Sequence, residues 1–526
     1  MDPREPHSKK RPRMRTQGLG AWLPRRRLRS PDKTAVVFGE NQRLSYRQLA
    51  DHAEAVSAVL AEEGIGAGDT VAFLGENSPD FLVTLFGAVR IGAVFVPVNT
   101  RLAGPEISHV LSDSRARVLI HDPSFEDRLD AVEAGLAHPP RRLRTGASGR
   151  NGEPGLDRRR DAAGRAPALV IAEPDAPAAV VYTSGTTGRP KGAVLTHENL
   201  TAVAVNTVID YDVVSDDVAL MISPLFHVAS LGMGALPVVL KGGTLVLEKG
   251  FEAGRALDLV EQHRVTMISG VPTTFQLMAD HPSWASTDIS SLHTLTCGGS
   301  AVPDRILRAW EERGLSFSQG YGMTETSPGA TSLAPHMTRA KQGSVGLPHF
   351  FTEVRVVNDD GHPVPAGTVG EIHVTGPNVF AGYLGLDEAT RSAKTEDGWF
   401  RSGDLGYLDA DGYLYICGRS KDMIISGGEN IYPAEVEALI ADMPGVTGVA
   451  VIGIPDERWG EVPLAVLTVT EGATVDTAAV RAHLDGQVAR YKLPKDVVVV
   501  DALPRTASGK VIKAELRERF GQSLPA

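Results

Sequence analysis

An α/β architecture of paired, largely parallel sheets is what this sequence predicts, on three observations. Short runs rich in Val, Ile and Phe alternate with stretches whose apolar side chains recur at helical spacing. The alternation occurs twice, before and after a polar interruption at residues 138–166. A chain of 526 residues is also too long for one ordinary core, so two or more domains are expected.

The elements follow in order. Folded chain begins near Leu19-Gly20-Ala21-Trp22-Leu23. Thr34 to Phe38 reads as a strand, and Asn41 to Leu44 turns into a second. Leu49, Ala53, Val56, Val59 and Leu60 share one side of a helix. Asp69 to Leu74 is a strand, Asn77 to Leu85 opens a helix, and Ala93 to Val96 and Ala116 to Ile120 continue the strand series. The most apolar stretch, Phe81 to Val98, is broken by Arg90 and Pro97 and reads as helix then strand, not as a membrane span. Residues 138–166 are crowded with Arg, Gly, Pro and Asp, so a mobile surface loop is expected there. Beyond it come strand Ala178 to Tyr182, helix 198–207, strand Val218 to Ile222 and the apolar helical stretch Leu231 to Leu240. Strand Thr244 to Leu247, helix Gly254 to His263 and strand Thr266 to Ser269 complete a second βαβ-like half. Two such halves place a site between paired sheets.

The composition, 42% hydrophobic and 22% charged, is that of a soluble globular protein. A net charge of -11 argues against nucleic acid as a partner, so a bound polyanion must meet a local positive site. Two cysteines, Cys297 and Cys417, form no disulfide framework and fit a reducing cytoplasm, each reading as a small buried filler. Residues 1–18 carry Lys9, Lys10, Arg11, Arg13 and Arg15 without an apolar run, which reads as a disordered basic tail rather than a secretory signal.

Two stretches carry chemistry. Thr183-Ser184-Gly185-Thr186-Thr187-Gly188-Arg189-Pro190-Lys191-Gly192 follows a buried strand and holds three glycines, four hydroxyls and two cations. Glycines bring backbone N–H groups close to an anion, while hydroxyls and cations add donors, so this is a phosphate cradle. Its spacing is not that of the Walker loop. In Gln319-Gly320-Tyr321-Gly322-Met323-Thr324-Glu325-Thr326, glycines bracket a flat ring that can lie against a purine. Thr324 can donate to a phosphate, and Glu325 is a hard oxygen ligand suited to Mg²⁺.

These stretches, with others downstream, resemble the adenylate-forming superfamily of acyl- and aryl-CoA synthetases, luciferases and adenylation domains, from about Leu19 to Phe520. The resemblance implies a large N-terminal domain (19–420) of paired α/β sheets with a small β-barrel-like subdomain. It also implies a small mobile α+β C-terminal lid (421–526). It places Gly298, Gly299 and Ser300 against adenine and Asp404 on the ribose hydroxyls, with Ser402 where the family usually has Thr. Arg419 would reach ribose or phosphate, and Lys421 would be the hinge. Lys510, behind Arg505-Thr506-Ala507-Ser508-Gly509, would be the catalytic lysine. A desolvated ammonium there offsets the repulsion between an attacking carboxylate and the α-phosphate of ATP. Mg²⁺, on Glu325 and Thr183, would neutralise the departing pyrophosphate. Ser426, Gly427, Gly428 and Glu429 resemble a pantetheine tunnel, and Arg490 and Lys492 would hold CoA phosphates, a solvated helix end being the competing reading. His227, in Pro224-Leu225-Phe226-His227-Val228, resembles the gate of the acyl pocket, against a structural histidine.

The implied activity is that of an acid–thiol ligase using a carboxylic acid, ATP and CoA. The uncharged, glycine-rich stretch Ala229 to Leu240 and the wording around Asp422 to Asn430 favour a medium- or long-chain fatty acid. An aryl acid of the coumarate or benzoate kind, a carrier protein as acceptor, and a fold kept for binding alone are the alternatives. Peripheral membrane contact and a homodimer stay open.

Overall fold

The computed structural model describes residues 18–149, 152–183, 190–299, 302–426, 429–456, 458–506 and 510–521. Most of the basic tail, the interior of the expected phosphate cradle (Ser184, Gly185, Thr186, Thr187, Gly188), Ser300, Gly427, Gly428 and residues 507–509 therefore lie outside it.

Among the described residues, two sheets organise the large domain. In the first, of thirteen strands, six run parallel in the order Thr34–Phe38, Thr244–Leu247, Val218–Met221, Met267–Gly270, Thr294–Gly298 and Phe317–Gly322. Antiparallel strands then continue it through Gly329–Leu333 and Ser344–Pro348 into a small subdomain of Leu414–Arg419, Phe400–Leu408, Gly370–Thr375 and Glu353–Val357. The second sheet has seven strands, with Pro177–Thr183 parallel to Val94–Val98, Thr70–Leu74, Val118–His121 and Arg141–Arg144.

Strand periodicity explains how the layers stack. In Thr70–Leu74, Val71 and Phe73 enter the core between the sheets, while Ala72 and Leu74 enter the core on the outer face. Val36 and Val37 likewise point to opposite cores. Helices Tyr46–Glu62, Pro79–Arg90, His197–Asp210 and Leu236–Lys241 fill the space between the sheets. Ala253–His263, Pro272–Ala279 and Asp304–Glu311 cover the outer face of the first sheet. Gly104–Asp113 and Glu126–Glu133 cover that of the second. The C-terminal part has its own sheet (Ile424–Ser426, Glu429–Ile431, Val446–Asp456, Gly460–Val469, Asp496–Val499) and two apolar clusters.

Two expectations need correction. Residues 138–166 are not simply a loop: they contain strand Arg141–Arg144 and helix Leu156–Ala162. Arginines that looked solvated are paired, Arg142 with Asp130 at 2.7 Å, Arg160 with Asp80 at 3.1 Å and Arg159 with Glu63. The stretch Leu231–Leu240 is not one helix but a π-helical turn, Ala229–Ala235, followed by a short α-helix. No described helix is long and apolar enough to cross a membrane.

Candidate active site

Parallel sheets gather loops at the carboxyl ends of their strands, and the motif residues lie there. Thr183 ends its strand and pairs with Lys191 on the return strand, so the two described ends of the expected cradle lie side by side. Gly298 lies beside Gly320 on adjacent strands. Gln319 is buried, and its Oε1 accepts from the backbone N–H of Val302 at 3.4 Å, tying the loop that begins at Gly299 to the next strand. Gly322 must be glycine, because a Cβ there would fall 1.6 Å from the carbonyl oxygen of Pro328. Thr324 and Glu325 follow in a 3-10 turn.

The subdomain supplies the next group. Asp404 and Arg419 face each other on paired strands, with Arg419 Nε 3.2 Å from Asp404 Oδ1. The Tyr321 hydroxyl donates to Asp404 Oδ2 at 2.7 Å. Burial first, then the Asp404 charge, hold the Tyr321 phenol well above its ordinary pKa. Ser402 fixes the turn by donating to the Ile372 carbonyl at 2.7 Å and accepting from the Asp404 N–H at 3.0 Å, a task a threonine hydroxyl could equally perform.

The C-terminal part closes the group with Lys510. Its backbone is tied to Thr506, whose N–H donates to the Lys510 carbonyl at 2.7 Å. Much of Lys510 still meets solvent, yet protein crowds its ammonium. Desolvation and then Arg419 lower its pKa, and Asp404 and Glu325 pull the other way. Lys421 sits in the turn Ser420–Asp422, its ammonium lowered by burial and by Arg419. Asp422 pairs with Arg517 at 2.8 Å, linking that turn to the last helix. Arg305 Nη1 donates to the Val446 carbonyl at 3.1 Å, and the Asp304 N–H donates to Asp442 at 3.2 Å, joining the two parts away from the chemistry.

The described residues assigned to CoA, Ser426, Glu429, Arg490 and Lys492, are not brought into this group. Ser426 and Glu429 pair across a hairpin, Arg490 is exposed, and Lys492 pairs with Glu435 at 2.6 Å. His227 is half-buried against Phe226, with ring centroids 4.6 Å apart. Both cysteines are free; burial raises the Cys297 thiol beyond any useful range and pushes Cys417 up to about 11, which suits fillers rather than nucleophiles.

Two residues of the site carry no motif signal. Tyr383 donates to Glu325 Oε1 at 2.8 Å, and Lys191 Nζ lies 5.3 Å from the centre of its ring. Tyr383 thus joins the cradle to the carboxylate from the opposite sheet. Asn77, read only as the start of a helix, is buried and crosses between the sheets. It donates to the carbonyls of Met221 and Ser223 at 3.3 and 2.9 Å and accepts from the Leu225 N–H at 2.7 Å, shaping the segment that carries His227. Asn77→Ala strands the Leu225 donor, so we expect a loss of about 1–3 kcal/mol in stability. A steady-state assay should show a rise in KM for the acid and little change in KM for ATP.

A two-sheet α/β domain with Tyr321, Asp404 and Arg419 gathered beside Glu325, and a small C-terminal domain that sets Lys510 against them, fits an AMP-forming acid–thiol ligase. The chain belongs to the AMP-binding enzyme family: the model for AMP-binding enzymes matches residues 23–384, and that for their C-terminal domain matches 435–510. It is 49% identical over 508 residues to a feruloyl-CoA synthase of an Amycolatopsis species, covering 97% of this chain and 100% of the relative. It is 38% identical to the long-chain-fatty-acid–CoA ligase FadD13 of Mycobacterium tuberculosis, covering 97% and 100%. Among solved structures, the anthranilate CoA ligase AuaEII in complex with anthranoyl-AMP superposes with a TM-score of 0.89 at 27% identity, covering 95% and 97%.

Proposed function

We propose that this enzyme is an aryl-acid CoA ligase: acid and ATP give acyl-AMP and pyrophosphate, and CoA then displaces AMP to give acyl-CoA. The observation that carries the aryl reading is the 49% identity, across nearly the whole chain, to a protein named feruloyl-CoA synthase. The expected fatty acid becomes the second reading, favoured by the uncharged stretch Ala229 to Leu240 and by the 38% identity to FadD13.

In the first step Lys510 lies between the acid carboxylate and the α-phosphate, where its charge offsets their repulsion and stabilises the pentacovalent transition state. Asp404 accepts from the ribose hydroxyls, Arg419 reaches ribose or phosphate, and Tyr321 lies on the adenine beside Gly298, Gly299 and Gln319. Thr183, Thr324 and Lys191 grip the departing pyrophosphate. Glu325 is the residue suited to Mg²⁺. Its Oε1 serves Tyr383, and no cluster of three or more His, Cys, Asp or Glu forms among the described residues. The ion would therefore take its other ligands from phosphates, Thr183 and water, as Mg²⁺ commonly does. When bound it supplies positive charge to the leaving pyrophosphate. For the second step the lid, residues 421–526, swings about Lys421 and exchanges Lys510 for the 426–429 hairpin. Arg490 then serves the CoA phosphates, as does Lys492 once Glu435 releases it.

Pyrophosphate release and thioester formation, measured over ferulate, coumarate, benzoate and C2–C18 fatty acids with CoA or a holo-carrier protein, test the reading. We expect a hydroxycinnamate with CoA to lead by about tenfold or more in kcat/KM. A fatty acid in the lead would establish the second reading instead.

A further inference from the structure

Where the segment after His227 meets the segment after Glu325, the chain withholds side chains. A Cβ on Gly232 would fall 2.5 Å from the Ser327 carbonyl oxygen and 3.2 Å from Pro328 Cδ. A Cβ on Gly329 would fall 2.7 Å from His349 Nε2 and 3.3 Å from Met233 Sδ. The first of these segments is the π-helical turn Ala229–Ala235, a rare geometry that is frequent at functional sites. The segment after His227 and the segment after Glu325 thus pack closely on one another, and Gly329 and Met233 come together beside one imidazole.

That imidazole is oriented and incompletely satisfied. His349 is 1% exposed, its Nδ1 hydrogen-bonds to Asp210 Oδ2, and its Nε2 has no hydrogen-bond partner among the described residues. A carboxylate only accepts, so Nδ1 carries the proton and Nε2 of the neutral ring is left as an acceptor. A buried polar atom without a partner is costly and rare in folded proteins, and a functional role is one reason it is kept. Half-buried Met233, at the Gly329–His349 contact, is a flexible thioether that can move aside for a ligand. The Tyr211 ring stands edge-on to His349 at 6.3 Å, fixing the imidazole plane from behind.

We propose that His349, held by Asp210, determines specificity at the far end of the acyl site. Its Nε2 accepts a hydrogen bond from a hydroxyl on the end of the acid remote from the carboxylate. The substrate class is then a 4-hydroxyaryl acid, in preference to the same acid without the hydroxyl. This inference rests on the aryl-acid reading and sharpens it.

The test compares kcat/KM for 4-hydroxycinnamate, cinnamate and decanoate in the wild type, His349→Phe and His349→Gln. Sites built to bond a substrate hydroxyl reject the analogue lacking it strongly, so the wild type should favour 4-hydroxycinnamate over cinnamate by about a hundredfold or more. In His349→Phe the ratio should fall to within about fivefold, through loss on the hydroxylated acid, with cinnamate turnover retained. His349→Gln, whose amide oxygen can accept, should restore part of the ratio. A wild-type ratio near one overturns the proposal while leaving the aryl-acid reading intact. Decanoate preferred over both aryl acids overturns that reading as well. A folded His349→Phe enzyme with the wild-type ratio also overturns the proposal. Should that variant not fold by circular dichroism, the wild-type ratio and the Gln variant decide.

Discussion

Lys510→Ala is expected to slow acyl-AMP formation by about 10²–10³-fold, the usual loss when one preorganised charge or donor is removed from a transition state. Conversion of supplied acyl-AMP with CoA should stay within about threefold of wild type, because that step does not use the ammonium. The division is measured by pyrophosphate release for the first step and thioester formation from synthetic acyl-AMP for the second. Equal losses in both would refute the assignment. A pH dependence follows from the same geometry. Desolvation and Arg419 bring the Lys510 ammonium below the ordinary lysine value. Its charge is lost as pH rises through that lowered pKa, so the alkaline fall in adenylation should begin earlier than for a free lysine. The thioester step should show no such limb over the same range.

Asp404→Ala is expected to lower kcat/KM for ATP by about 10–100-fold, since hydrogen bonds to a charged group are worth about 1.5–3 kcal/mol. The variant removes the acceptor of the Tyr321 hydroxyl and the partner of Arg419 together with the proposed ribose contact. KM for the acid should move little, because the proposed acyl side of the site rests on the His227 and Gly329 segments. A parallel rise in both KM values would mean that Asp404 supports the site as a whole rather than the nucleotide.

Much of the fold was readable because strand and helix periodicities are local. Val36 and Val37 point to opposite cores simply because they are neighbours in a strand. The charges of 138–166 look solvated in the sequence because their partners are remote in it: Asp130, Asp80 and Glu63 come from other elements and make Arg142, Arg160 and Arg159 structural groups. The helix expected over Leu231–Leu240 failed at its start. Glycines at 232 and 234 weaken an α-helix, and at 232 the backbone packs so closely on Ser327 and Pro328 that a side chain would not fit where the π-turn forms.

By itself the sequence marked the motif stretches, because Thr183 to Gly192 and the strand-end run Gly320-Tyr321-Gly322 are each built from residues adjacent in the chain. Through its family resemblance it also named Glu325, Asp404, Arg419 and Lys510 as one set. Only the tertiary structure decided what stands around them. Tyr383 reaches Glu325 across 58 residues, Asn77 reaches Ser223 across 146, and His349 reaches Asp210 across 139. Each is an unremarkable polar residue in its local stretch and acquires a task from a partner on another element. Such contacts leave no periodic or spaced signal, because burial and through-space hydrogen bonding, not neighbourhood in the chain, give them their energy.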